Sequence, residues 1–134
     1  MILADASVWI DHLGGVATRE AAQLDRLLGK RLIGIADVTI CEVLQGIRDD
    51  VQFERTRLRF GLLPVVETGG ASTALQAARN YRFLRARGVT VRKTIDTLIA
   101  TRCIIDGHAL LFSDRDFEPF VAHLGLVDAM RVTS

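Results

Sequence analysis

Apolar and polar positions along this chain switch between two patterns. Short apolar runs at Ile2-Leu3-Ala4, Arg31 to Ile35, Val65-Val66 and Ala109-Leu110-Leu111-Phe112 are bounded by acids, proline or glycine and predict strands. Between them apolar residues recur at helical spacing. Ser7 supplies a hydroxyl cap for a helix starting at Val8-Trp9-Ile10. Thr18 opens a second, in which Ala21, Leu24, Leu27 and Leu28 share a face and which Gly29 ends. Asp37 or Thr39 caps a third through Ile47, with Ile40, Val43, Leu44 and Ile47 inward and Glu42 on an adjoining side. Val51, Phe53, Leu58 and Leu62 predict a fourth, stopped at Pro64. After Gly69-Gly70 a long helix is expected from about Ser72 to Ala86, apolar at Leu75, Ala78, Phe83 and Leu84 and closed by Gly88. Thr94 caps the next, which carries Ile95, Leu98, Ile99, Cys103 and Ile104 and ends at Gly107. Asp114 to Asp116 leads into a short helix around Pro119, Phe120 and Val121, and a last strand is expected near Met130-Arg131-Val132.

Strands that alternate with helices across short loops require parallel crossovers, and parallel sheets need both faces covered. The expected fold is therefore α/β, a three-layer α/β/α sandwich with a central parallel sheet. With 134 residues and no repeat, linker or low-complexity stretch, residues 1–134 are expected to form one domain.

Composition adds two points. Apolar types make up 49% of the chain and charged types 25%, which excludes a disordered or acidic-tail protein. The mean hydropathy of +0.26 is high for a small domain and implies that some apolar surface meets a partner. The net charge of +1 is the balance of 17 basic and 16 acidic residues and says little. Met1-Ile2-Leu3-Ala4-Asp5 has no basic leader, and no run of about eighteen apolar residues appears, so no membrane anchor and a cytoplasmic location are expected. Cys41 and Cys103, isolated in apolar helical settings, are read as reduced core thiols.

Candidate chemistry lies in the acids. In an open α/β sheet ligands bind beyond the carboxyl ends of the strands. Asp5 follows the first strand and Asp114 follows Ala109 to Phe112, while Glu42 and Asp96 project from the first halves of adjoining helices. Each has a local alternative: Asp5, Asp96, Asp114 and Asp116 can cap or favour a helix N-terminus, and Glu42 can be a solvated helix residue. Together they describe one crevice, and so many carboxylates in one place need a cation. Mg²⁺ fits an all-oxygen donor set that leaves room for water and phosphate, with Mn²⁺ as a substitute; no histidine or cysteine cluster competes. Such a site suits phosphodiester hydrolysis.

The segment Ile2-Leu3-Ala4-Asp5-Ala6-Ser7-Val8-Trp9-Ile10-Asp11 resembles the opening of a VapC-type PIN domain. Thr39-Ile40-Cys41-Glu42-Val43-Leu44-Gln45-Gly46, Thr94-Ile95-Asp96-Thr97-Leu98-Ile99-Ala100 and Ser113-Asp114-Arg115-Asp116-Phe117 resemble the later acidic motifs in order and spacing. The resemblance spans essentially the whole chain. It implies that Asp5, Glu42, Asp96 and Asp114 bind the metal, that Asp116 helps to position water or a second ion, and that Ser7 and Ser113 are polar neighbours of the metal. It implies an Mg²⁺-dependent endoribonuclease toxin that cuts RNA, forms a homodimer and is blocked by a VapB-like antitoxin. Asp11 is left outside the site, because a helix begun at Ser7 carries it away.

From Thr68 through Ile95 there is no acid, yet Arg79, Arg82, Arg85, Arg87, Arg92 and Lys93 fall there. This strip runs toward Asp96 and offers a path for a nucleic-acid backbone, with Arg79, Arg82 and Arg85 near one face; the alternative is a solvated helix. Trp9 and Tyr81 are read as packing residues rather than base-stacking ones. His12, His108 and His123 fit no catalytic triad. Rival readings are a receiver-like signalling or binding domain, which lacks its late lysine here, a dehalogenase-like phosphatase, whose Asp-x-Asp would have to come early, and a DNA-directed nuclease of the same fold. Residues alone do not separate RNA from DNA.

Overall fold

The computed structural model describes residues 1–132. Five strands form one wholly parallel sheet in the order β3-β2-β1-β4-β5, where β1 is Ile2–Ala4, β2 Ile33–Ala36, β3 Val65–Val66, β4 Ala109–Leu111 and β5 Val127–Asp128. Every residue of β1, β2 and β4 is buried, as central parallel strands require. Successive side chains point to opposite faces. Ile2, Ala4, Ile33, Ile35, Ala109 and Leu111 feed one core, with Trp9, Leu24, Leu27, Val43 and Phe60. Leu3, Ala36 and Leu110 feed the other, with Leu84, Ile99, Cys103, Phe117 and Phe120.

The helices divide accordingly. On the first face lie α1 (Ala6–Leu13), α2 (Arg19–Gly29), α3 (Asp37–Gln45) and α4 (Asp50–Phe60); on the second lie α5 (Ala71–Arg85), α6 (Thr94–Asp106) and α7 (Glu118–Leu124). This is the expected three-layer α/β/α sandwich. The chain leaves β1 toward β2 and β3 on one side and reaches β4 and β5 on the other, so the order reverses at β1 and β4. A crevice opens at the carboxyl ends of strands at such a point. A receiver-like strand order is absent, and that rival is removed.

Local chemistry explains most boundaries. Thr18 caps α2, its hydroxyl accepting from the Ala21 amide at 2.9 Å. Gly107 ends α6 in the left-handed conformation at φ 73°. A β-carbon at Gly34 would run into the Met1 side chain and the Pro64 carbonyl, so the close approach of the first residue to β2 depends on glycine.

Several expectations change. Asp5, not Ser7, is the N-cap of α1, and Lys93, not Thr94, that of α6. The second strand starts at Ile33, because Arg31 turns through φ 57°. The last strand is Val127–Asp128, while Ala129–Arg131 forms a 3-10 turn capped by Asp128. On α4 the expected apolar face points outward: Val51, Leu58 and Leu62 are exposed, and Thr56 and Phe60 are buried instead. Trp9 stacks edge-on against Phe60, which fixes that rotation. Cys41 is exposed rather than a core thiol; Cys103 is buried, which pushes its thiol up to about 12 and leaves it inert.

Candidate active site

Asp5 emerges directly from the central strand, where its amide donates to the Leu111 carbonyl at 2.8 Å and so ties the end of β1 to the end of β4. Its side chain is buried, and Oδ2 accepts a 2.8 Å hydrogen bond from the Ser7 hydroxyl. Burial raises the Asp5 pKa; the Ser7 hydroxyl and the Ala6 and Ser7 amides oppose the rise, and the Asp114 charge adds to it.

Three further acids reach the same place from different elements. Glu42 comes from the second turn of α3, half-buried, with Oε1 sealed from solvent and without a hydrogen-bond partner among the described residues. Its pKa is raised by burial first and by the Asp5 charge next. Asp96 sits in the first turn of α6, only 4% exposed, and its Oδ2 is likewise buried and unpartnered. Burial, then the charges of Asp5 and Asp114, push its carboxyl up to about 7, while Lys93 pulls the other way. The helix N-terminus beneath it favours the ionised form. Asp114 follows β4 and caps a 3-10 turn, Arg115–Phe117, by accepting from the Asp116 amide at 2.9 Å.

These four acids line one pocket of about 190 Å³ together with Ser7 and Lys93. Asp116 lies beside it. Carboxylate oxygens of Asp96, Asp114 and Asp116 fall within 4.8 Å of one another, so Asp96 and Asp114 belong to both groupings. Asp116 Oδ2 also accepts from Arg92 Nε at 3.2 Å.

Close carboxylates destabilise one another, and buried oxygens without a donor cost free energy. Both features occur in Asp96 and Glu42, and a cation is the kind of group that can supply the missing partners. The donors are oxygens throughout, which suits a hard divalent ion. Among the described residues no histidine or cysteine lines the pocket.

Not every expected residue joins. Ser113 is exposed, and among the described residues no hydrogen bond links it to an acid; the Ser7 hydroxyl is the one that engages the site. Asp11 is not among the residues that line this pocket. The basic strip divides. Arg82 faces a groove with Tyr81, Thr94 and Thr97, Arg79 lines a different groove with Ile104 and Leu124 toward the far end of α6, and Arg85 lies over the Tyr81 ring. Each step of three on a helix turns by about sixty degrees, so neighbours stay close but Arg79 and Arg85 end up about 120° apart. Only Arg92 and Lys93 reach the acids. Ile10 and Gln45 also line the pocket, although the acidic pattern alone does not single them out. Gln45 lies three residues after Glu42 and Ile10 three after Ser7, the spacing that puts helix residues side by side.

A family model described as PIN domain matches residues 2–120. The chain is 32% identical over 120 residues to the VapC ribonuclease Mb1587 of Mycobacterium bovis and, equally, to ribonuclease VapC11 of Mycobacterium tuberculosis; the match covers 88% of this chain and 90% of each relative. Among solved structures it resembles a toxin–antitoxin complex from Klebsiella pneumoniae, with a TM-score of 0.68 at 20% identity over 96% of this chain and 98% of that one. It also resembles VapBC2 from Rickettsia felis bound to a DNA fragment from its promoter, with a TM-score of 0.69 at 16% identity over 95% and 96%.

Proposed function

The chain belongs to the PIN-domain family, and from that premise we propose that it is a VapC-type endoribonuclease, the toxin of a toxin–antitoxin pair, which hydrolyses RNA phosphodiester bonds with a divalent cation held by Asp5, Glu42, Asp96 and Asp114. The observation that carries this reading is the Asp96 carboxylate, buried with an unpartnered oxygen and faced by three other acids. Mg²⁺ is the cation of choice, since it binds through few carboxylates and keeps sites for water and phosphate oxygens; Mn²⁺ substitutes.

When bound, the ion would supply positive charge to the phosphoryl oxygens and lower the pKa of water, which favours its deprotonation and attack. The protein's own residues prepare the site. Ser7 donates to one oxygen of Asp5 and so restrains the carboxylate that would hold the ion. The first turn of α6 offsets part of the Asp96 charge. Asp116, close to Asp96 and Asp114 and competed for by Arg92, helps to orient water or a further ion. Asp114 accepts from the Asp116 amide, so those two acids move as one turn.

The same reading supplies the partners and setting. Residues 1–134 act as one nuclease domain in the cytoplasm; among the described residues no helix is long and apolar enough to cross a membrane. A VapB-like antitoxin and a second copy of the chain cover apolar surface. Leu58 and Leu62, 61% and 86% exposed on the outer side of α4 and its end, are consistent with such cover.

The deciding experiment incubates purified protein with total cellular RNA, and separately with single-stranded DNA, with Mg²⁺, Mn²⁺ or EDTA. Cation-dependent RNA cleavage is expected, nearly abolished in Asp5→Asn and Asp114→Asn variants of native far-UV spectrum. Undiminished cleavage in those variants would end the site assignment, and preference for DNA would reassign the substrate.

A further inference from the structure

Lys93 occupies a position that helix chemistry does not explain. It is the N-cap of α6, where serine, threonine, aspartate and asparagine are favoured, and it makes no side-chain cap bond. A cation there also opposes the positive end of the helix dipole. What the position does provide is access to the acids. Lys93 lines the pocket of Asp5, Glu42, Asp96 and Asp114, and its charge acts on Glu42 and Asp96.

Its neighbour supplies the contrast. Val91 is buried and anchors the segment. Arg92 turns to one side and is engaged by Asp116 at 3.2 Å, whereas Lys93, among the described residues, forms no ion pair within 4.0 Å. Arg92 is paired with an acid, whereas Lys93 lines the acidic pocket, acts on its acids through charge and, among the described residues, forms no direct ion pair with any of them. Four carboxylates carry more charge than one divalent ion offsets, so a phosphodiester approaching the pocket still meets net repulsion. A compact ammonium on a long stem is suited to relieve it, because it donates to phosphate oxygens without needing a fixed plane.

Resting on the nuclease reading above, we propose that Lys93 is the substrate-anchoring cation of this site: its ammonium binds a non-bridging oxygen of the phosphodiester that enters the acidic pocket. The α5 arginines contribute less, since Arg79 and Arg82 line grooves apart from the acids.

The test compares wild type with Lys93→Met and Lys93→Arg. Binding of a fluorescein-labelled single-stranded RNA is followed by anisotropy with Ca²⁺ as the cation, across a series of KCl concentrations. Lys93→Met is expected to weaken binding about tenfold and to flatten the log Kd against log salt plot by about 0.7, the value of one phosphate contact on a single strand. Lys93→Arg should restore most of both. The Mn²⁺-induced rise in Tm at a pH above neutrality should be at least as large in Lys93→Met as in wild type, because a positive charge has left the cation pocket. Unchanged affinity and slope in Lys93→Met would overturn the proposal, as would loss of its Mn²⁺ response, which would make Lys93 a structural part of the pocket. Lys93-dependent binding by a wild type that leaves RNA uncut with Mg²⁺ or Mn²⁺ would support the contact and reject the ribonuclease reading. Cleavage by wild type with unchanged binding in Lys93→Met would do the reverse.

Discussion

The Ser7 hydroxyl donates to Asp5 Oδ2 at 2.8 Å, two residues along the chain and at the start of α1. This bond orients the acid at the end of the central strand. Partners that hold a metal-binding carboxylate typically matter by about 10–100-fold in affinity or rate when removed. Ser7→Ala is therefore expected to weaken Mg²⁺ binding or RNA cleavage within that range while leaving Tm nearly unchanged. Metal titration by calorimetry with parallel cleavage assays checks it, and wild-type behaviour in both would remove Ser7 from the site.

The Asp96 carboxyl, pushed up to about 7 from an ordinary 3.8, links pH to stability. Between those values the folded chain retains a proton that the unfolded chain has lost, so the folded state binds more protons and stability falls as pH rises. Asp5 and Glu42, also raised, contribute with the same sign. In EDTA, Tm should be higher at about pH 5 than at about pH 8. Asp96→Asn should flatten the profile and be more stable than wild type at the higher pH. Mg²⁺ should raise Tm most where the acids are already ionised, because binding must otherwise displace protons. An Asp96→Asn variant less stable than wild type in EDTA, and equally responsive to Mg²⁺, would mean that Asp96 serves the helix and not a cation.

Arg92 holds Asp116 from an exposed position. Exposed pairs add little to stability, so Arg92→Ala should leave Tm almost unmoved. It should tighten Mn²⁺ binding, since Asp116 is released and a competing positive charge is gone. Weaker Mn²⁺ binding in Arg92→Ala would mean that the pair positions Asp116 for the ion. Calorimetry at fixed pH and ionic strength distinguishes the outcomes.

Inside the second layer, Asn80 Nδ2 donates to Thr101 Oγ1 at 3.0 Å and Asn80 Oδ1 accepts from Gln76 at 2.9 Å, joining α5 to the helix that carries Asp96. Thr101→Val leaves a buried amide hydrogen without an acceptor and should cost about 1–3 kcal/mol in urea unfolding. Replacing both residues, Asn80→Leu with Thr101→Val, should cost less than the sum of the single changes. Strict additivity would show that the two side chains do not couple.

Much of the molecule was legible along the chain. Strand runs, breakers and hydroxyl caps are local, and an α/β alternation with short loops leaves few topologies. The acids were readable for a related reason: Asp5 and Asp114 follow strands, and any open parallel sheet gathers strand ends at one edge. Phase and partnership were not legible. Val51, Leu58 and Leu62 form a true helical stripe, yet Phe60 takes the core because Trp9 is there to receive it. Cys41 looked apolar in context and is exposed.

Arg79, Arg82, Arg85, Arg92 and Lys93 read as one strip, but helical drift and the packing of α5 on α6 separate the first three, and only the last two meet the acids. Periodicity states what a segment can bury, because it follows from backbone geometry alone. Which face is buried, which acid is left without a donor and which cation is left without an ion pair depend on residues far away in the chain, and only the assembled sheet and its two helical layers bring those together.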